Sequence, residues 1–458
     1  MLTHRTFVDG LAQTSYLVAC ERDKVALVVD PQRDVTPYLE QAERFGVTIA
    51  HVLLTHVHAD FVAGHRELVD RCGAKVWISR AARAAFPHEG LAHGDRIGVG
   101  GLEVRALATP GHTPESMCFH VRCPRTGEAH LYTGDTLFVG DVGRPDLLGN
   151  EQAAPLARSL YESITRELWP LGDGIVVAPG HGAGSLCGKN LSRQPFSTLG
   201  HERAHNCALA GKDADRFVAD LLDGLPAAPA HFARIATTNR QGPRLVRELP
   251  LPRALHADEV ERELARGALV VDVRPTEAFQ AAHIPGSLFL GPAPSSQLWA
   301  TWLLPHDQDL ILLATDTAEA HEARRKLLRV GFDRVIGFVN CGIDAWERHG
   351  GDLGCLRDLV PEDHAHLREL GDAPALLDVR QPGEWAESHP HGARHQPLGR
   401  LPEIAAALRD DGPLAVICAT GYRSVIACSV LLRAGKRDVL NIPGGFRAWR
   451  AAGCPVES

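Results

Sequence analysis

Histidine and aspartate recur at four points in the first half of the chain: Thr55-His56-Val57-His58-Ala59-Asp60-Phe61, Pro110-Gly111-His112-Thr113, Gly134-Asp135-Thr136 and Pro179-Gly180-His181-Gly182. Imidazole and carboxylate groups are ligands for first-row metals. A single His-x-His-x-Asp says little, but four such pieces in this order point to a metal centre. The second half carries a different chemistry. Cys418-Ala419-Thr420-Gly421-Tyr422-Arg423-Ser424 follows the apolar run LAVI and leads into the helical SVIACSVLLRAG. A cysteine between a strand end and a helix start faces backbone N–H groups and the positive helix terminus, a setting that favours a thiolate and a bound anion.

Strands must position the first set of groups. VALVVD, AHVLLT, GLEVRALAT, AHLYTGD and GIVVAPG read as strands, and four of them end in Asp30, His56, Asp135 and His181. Such strand ends predict a metal site along one sheet edge. The second half is duplicated. LVVDVRPTEAFQAAHIPGSL from Leu269 parallels LLDVRQPGEWAESHPHGARH from Leu376, and KLLRVGFDRVIGFVNCGIDAW from Lys326 parallels VLLRAGKRDVLNIPGGFRAW from Val430. In each copy, buried-strand patterns alternate with helical ones, the signature of a parallel sheet flanked by helices. The Pro-rich stretch from Leu225 to Pro252 has no strong periodicity and reads as a connecting segment. The expected domains are residues 1–250, 251–356 and 357–458.

The 458 residues suffice for roughly three domains at about 150 each. With 45% hydrophobic and 23% charged residues, the composition is that of a chain folded throughout. The net charge of −8 supplies no overall attraction for nucleic acid or anionic lipid. No apolar run reaches the ~20 residues of a membrane span, and MLTHRTFVDG lacks a signal-peptide layout, so a cytoplasmic location is expected. The eleven cysteines are scattered, without a CxxC pair, which argues against a disulfide framework or a zinc ribbon.

The four His/Asp pieces, over about residues 1–240, resemble the metallo-β-lactamase superfamily, which implies an αββα sandwich with metal at the sheet edges. Dinuclear members such as the glyoxalase II thioesterases have a histidine directly after the motif aspartate. Here that position is Phe61, which cannot ligate, so a single metal is expected. Spacing alone leaves a three-histidine zinc site and a two-histidine, one-carboxylate iron site both open. The stretches GDTLFVGDVGRPDL, PGHGAGSLCGK and STLGHERAHN resemble the persulfide dioxygenases. That resemblance implies His56, His112 and Asp135 as ligands of one Fe(II) per chain, with His58, Asp60 and His181 supporting them from behind. Arg144 and Asp146 read as either an ion pair or groups shaping the site, Arg144 also as a substrate contact. Cys187 reads as a small buried residue or as a sulfur acceptor near a predicted rim.

The last hundred residues resemble the rhodanese family through DVRQPGEWAESH, the Cys418 loop and IPGGFRAW. The Cys418–Arg423 loop is one residue shorter than its counterpart in protein phosphatases, which suits sulfane sulfur better than phosphate. The resemblance implies Cys418 as sulfur carrier and Arg423 as part of its cradle. In the first copy Ala314 replaces the cysteine, and Asp316 and Glu319 make the loop acidic, so this copy is expected to be inactive, a spacer or a homo-oligomer interface. Together these resemblances imply an αββα sandwich followed by two α/β rhodanese domains with parallel sheets. The implied enzyme oxidises a thiol persulfide, such as glutathione persulfide, with O₂ to sulfite and moves sulfur among thiosulfate, sulfite and thiols through Cys418. Two other readings are a zinc thioester hydrolase of the glyoxalase II type and a sulfur-relay or sensing protein with a vestigial metal domain.

Overall fold

In β9 (Met117–Arg122), Phe119 and Val121 face one way and Cys118 the other, and all three are buried. A strand covered on both faces belongs to the middle of a layered domain. The computed structural model, described for all residues except 226, 227 and 409–411, builds that domain from two six-stranded sheets. The first comprises β1 (Leu2–Val8), β2 (Gln13–Cys20), β3 (Val25–Val29), β4 (Thr48–Leu53), β5 (Lys75–Ser79) and β6 (Glu89–Leu91), paired in chain order. The second comprises β7 (Arg96–Val99), β8 (Leu102–Ala108), β9, β10 (Ala129–Gly134), β11 (Val176–Pro179) and β12 (Ser197–Thr198), again in chain order.

Between the sheets, Tyr16, Leu27, Val29 and Leu53 meet Val104, Phe119, Val121 and Tyr132. The opposite face of the second sheet, through Leu107, Leu131 and Val177, packs with Ala157 and Leu160 of the helix Asn150–Ser163. The alternation of strand residues thus feeds two separate cores.

The chain divides into two compact units, Met1–Glu248 with Leu328–Gly331, and Leu249–Leu327 with Phe332–Ser458. The second unit holds two five-stranded sheets of matching topology. One is β13 (Arg253–Leu255), β14 (Leu269–Asp272), β15 (Leu288–Phe289), β16 (Leu310–Leu313) and β17 (Val335–Val339), ordered 13-17-16-14-15 and parallel throughout. The other uses β18 (Arg357–Asp358), β19 (Ala375–Asp378), β21 (Arg394–His395), β22 (Leu414–Ile417) and β23 (Val439–Asn441), ordered 18-23-22-19-21 and also parallel. A short ribbon of β20 (His389–Pro390) and β24 (Val456–Glu457) lies outside it. Among the described residues, no helix is long and apolar enough to cross a membrane.

One expectation is corrected. Within the stretch read as a connecting segment, residues His231–Gln241 form a helix that buries Phe232, Ile235 and Asn239. Its polar Thr, Asn and Arg residues mask the apolar spacing. Pro226 and Ala227 of that stretch lie outside the described residues.

Candidate functional site

The metal-binding loop begins where β4 ends. Asp30, just beyond β3, accepts the backbone N–H of Thr55 at 2.8 Å and its hydroxyl at 2.7 Å. Because the Thr55 hydrogen goes to Asp30, Thr55 Oγ1 accepts from His56 Nδ1, 3.0 Å away. His112 Nδ1 lies 2.7 Å from the carbonyl oxygen of Arg144, which can only accept. Both imidazoles therefore carry the proton on Nδ1, leaving each Nε2 a bare lone pair. Burial drives His56 well below the ordinary histidine range, and burial likewise lowers His112. Neutral imidazoles are the form that ligates metal.

Asp135 completes the group. A bulge between Tyr132 and Gly134 shifts β10 against β11, and Gly134 has φ +49° with Thr55 so close that a Cβ there would lie 2.4 Å from its Oγ1. Only glycine allows that approach and that backbone. Gly180 is equally confined, since its Cβ would lie 2.6 Å from Asp135 Oδ1. The ligand atoms of His56, His112 and Asp135 all fall within 4.8 Å of one another, and all three residues are buried.

His181 explains why one oxygen of Asp135 stays free. Burial alone would strip its proton, but Asp135 and Asp60 reverse this and hold its pKa well above the ordinary value. The imidazolium donates Nδ1–H to Asp135 Oδ1 at 2.9 Å and Nε2–H to Asp60 Oδ2 at 2.8 Å. Burial would push the Asp135 carboxyl up, yet the charge of His181 and its hydrogen bond hold it below the usual carboxylate range. Asp135 Oδ2 is left buried without a hydrogen-bond partner, 3.5 Å from His112 Nε2. A buried carboxylate oxygen is seldom orphaned, and a cation among these three side chains would satisfy it. The donor set, two imidazole nitrogens and one carboxylate, fits a mononuclear divalent metal.

The remaining residues named from the sequence surround this group. His58 Nε2 lies 3.0 Å from Asp30 Oδ1, and the carboxylates of Asp30, Asp60 and Asp135 overcome burial to raise its pKa. Phe61 is buried with its ring 4.4 Å from that of His58. The Arg144 guanidinium makes two 2.7 Å contacts with Asp146 and also reaches Leu186 O, so its side chain is engaged within the loop. Cys187 is 3% exposed, not at a rim, because Arg144 N–H holds its carbonyl at 2.9 Å and Ser185 Oγ accepts its N–H. Its thiol joins Asp60 and His181 in a second group of closely spaced ligand atoms, and burial pushes its pKa well above the ordinary thiol value.

Two residues were not legible as site residues. Asn239, on the helix His231–Gln241, donates to His58 O at 2.8 Å and Phe61 O at 2.7 Å and accepts from Ala63 N–H at 2.9 Å. It fixes the metal-binding loop from 181 residues away in the sequence. Glu115 accepts the N–H of Val57 at 3.3 Å.

In the second unit, Cys418 sits at the end of β22, fully buried, and its Sγ accepts the N–H of Gly421 at 3.1 Å. Ser424 Oγ lies 3.5 Å from Sγ, and its single hydrogen has two acceptors in reach, Gly421 O at 2.9 Å and Asn441 Oδ1 of β23 at 2.6 Å. Gly445 closes the cradle, as a Cβ there would lie 2.3 Å from Cys418 O. Arg423 turns both terminal nitrogens to Glu384, each 2.7 Å from a carboxylate oxygen. In the other copy Ala314 stands at the end of β16, and its loop binds its own carboxylates. Glu319 accepts Thr315 N–H at 2.6 Å and Asp316 accepts Glu319 N–H at 2.8 Å.

Residues 8–181 match the metallo-β-lactamase superfamily, and residues 256–349 and 361–452 match the rhodanese-like domain. A solved structure described as a metallo-beta-lactamase from Staphylococcus aureus subsp. aureus COL is 32% identical, with a TM-score of 0.65 over 74% of this chain and 98% of that one. An uncharacterised protein of Mycobacterium leprae is 31% identical over 42% of this chain and 96% of its own length. A hydroxyacylglutathione hydrolase of Methylobacillus flagellatus is 27% identical over 50% of this chain and 82% of its own. With its two sheets, strand-end ligands and duplicated parallel domains, the chain belongs to the metallo-β-lactamase superfamily and carries two rhodanese-like domains after its metal-binding domain.

Proposed function

We propose that the protein is an iron-dependent persulfide dioxygenase with a sulfurtransferase loop. One persulfide, one O₂ and one water yield one thiol and one sulfite. The observation that carries this reading is the pairing of a two-histidine, one-carboxylate group with Phe61 at the place where a second metal lacks its histidine. Ferrous iron held by His56, His112 and Asp135 would supply activation of O₂ beside a bound sulfur at its open positions.

The protein's own part is orientation and protection. Thr55 and the Arg144 carbonyl fix the neutral tautomers of His56 and His112, and His181 holds one oxygen of Asp135 so that the other faces the metal position. Phe61 is buried against the His58 ring. In the rhodanese loop, the Cys418 thiolate attacks the outer sulfur of thiosulfate. The sulfur–sulfur bond breaks, sulfite leaves with the electron pair, and Cys418 retains the sulfur as a persulfide anion cradled by backbone N–H groups. Run in reverse, the same step passes sulfur to sulfite.

A hydrolase reading has one observation in its favour beyond the relative from Methylobacillus flagellatus: Asp60, His181 and Cys187 form a second group of ligand atoms. It requires a second metal and turnover without O₂. An oxygen electrode separates the two. O₂ uptake with glutathione persulfide and sulfite formation are expected, whereas cleavage of a hydroxyacylglutathione thioester with no O₂ uptake would replace this proposal by the hydrolase.

A further inference from the structure

We propose that Arg83 and Arg240 form an anion clamp in the substrate cleft that grips the acidic tail of the thiol carrying the reactive sulfur. The inference rests on the persulfide reading for what that thiol delivers, and on the cleft itself for what it binds. A cleft of about 730 Å³ opens beside the metal-binding loop, with Val57 and Ala59 of the His-x-His-x-Asp motif in its wall. That volume falls in the range of about 300–1,000 Å³ used by small-molecule sites. Leu148, 53% exposed, and Phe232 give it apolar sides.

Arg83 and Arg240 are the cations that line the cleft. Both are exposed, and neither has a carboxylate partner among the described residues. The acid that lines it, Glu115, is buried and already accepts the Val57 N–H next to the ligands. Charge in the cleft is therefore divided between an acid engaged with the metal-binding loop and two arginines open to solvent. A substrate with a neutral or sulfur-bearing head and an anionic tail matches that division.

The backbone supports the assignment independently. Arg83 has φ +50°, a left-handed conformation that is rare for a bulky residue and persists where its surroundings impose it. Those surroundings are the helix bearing Arg240. Ala85 N–H donates to Arg240 O at 2.8 Å and Arg240 Nε–H to Ala82 O at 3.3 Å. Turn and helix end are thereby tied together, which brings the two guanidinium groups to one cleft. Carboxylates of a peptide thiol and phosphates of a nucleotide thiol share the chemistry this pair recognises.

The test titrates glutathione and coenzyme A, without O₂, into the iron-loaded full chain and into Arg83→Gln, Arg240→Gln and a surface control, Arg96→Gln. O₂ uptake is then measured with the persulfides of both thiols and of the uncharged 2-mercaptoethanol. Affinity for at least one acidic thiol should fall about tenfold in each cleft variant and not in the control, the size of a lost charged hydrogen bond. The kcat/KM preference for acidic over uncharged carrier should fall by a similar factor. Loss for glutathione alone identifies a carboxylate tail, and loss for coenzyme A alone a phosphate. The clamp is overturned if wild-type protein binds neither thiol, if the variants bind both unchanged, or if the uncharged carrier suffers equally. Weakened thiol binding in a protein that consumes no O₂ would leave the clamp standing and remove the dioxygenase reading.

Discussion

His112 donates its Nδ1–H to the backbone carbonyl of Arg144, 2.7 Å away, while two 2.7 Å contacts with Asp146 hold the Arg144 guanidinium. The orientation of this candidate ligand thus depends on an ion pair between residues two apart in the sequence. Asp146→Ala leaves the charge of Arg144 without its carboxylate, a change that destabilises by about 3–5 kcal/mol when the pair is buried. Iron affinity should fall about 10- to 100-fold, as for other supports of a metal-bound histidine. Thermal melting and competition with a chelator measure the two effects. Lower stability with unchanged affinity would mean that the Arg144 carbonyl is held without the pair.

Asn239 presents a similar case from a distant helix. Asn239→Ala abandons two carbonyls and one N–H in the loop between His58 and Ala63. A buried polar group left unsatisfied costs about 1–3 kcal/mol. Hydrogen exchange should quicken in residues 55–63 before it changes elsewhere in the first unit. Unaltered exchange there would show that the loop holds its shape without the amide.

The Arg423–Glu384 pair makes stability depend on pH. Burial would raise the Glu384 carboxyl, but hydrogen bonds from Arg423 and from the Gln381 N–H lower it below the ordinary value. A depressed folded-state pKa gives stability that is present above the unfolded carboxylate value and lost as pH falls through the folded one. The denaturation midpoint of the second unit should therefore drop in acid, and Glu384→Gln should flatten that part of the profile. An identical acid limb in the variant would remove Glu384 as a contributor.

The grouping of His56, His112 and Asp135 was legible because each sits in a short motif at a strand end, where local sequence determines both the strand and its terminus. The duplicated sheets were legible for the same reason, through their repeated DVR segments. Asn239 was not, since an amide in a polar helix carries no local sign of the loop it will meet. Glu384 accepts the Gln381 N–H at the start of its own helix, but its pairing with Arg423 exists only after β19 and β22 lie side by side. Cys187 was expected near a rim. Hydrogen bonds from Arg144 and to Ser185 draw its loop inward, and nothing in the Gly-rich sequence announces them.

The Cys418 loop and the Ala314 loop differ in what their backbone amides hold. In the copy that carries the cysteine the Gly421 N–H reaches Cys418 Sγ. In the other copy Glu319 and Asp316 occupy the amides of Thr315 and Glu319, which align with those of Ala419 and Arg423. Cys418→Ala should abolish thiosulfate–thiol sulfur transfer yet leave O₂ uptake with supplied persulfide, because the two sites lie in separate units. Adding Ala314→Cys to that variant should restore nothing. Strong transfer by the double variant would show that the acidic loop is no barrier, and undiminished transfer by Cys418→Ala would turn attention to Cys187.

The proposed reaction requires one catalytic iron held by His56, His112 and Asp135. Metal-free protein titrated anaerobically with Fe(II) and assayed for O₂ uptake with glutathione persulfide tests it most directly. Activity should rise linearly, break at about one iron per chain, and be missing in His112→Ala but not in His181→Ala at saturating iron. A break at two metals per chain, or full turnover with zinc, would contradict the account.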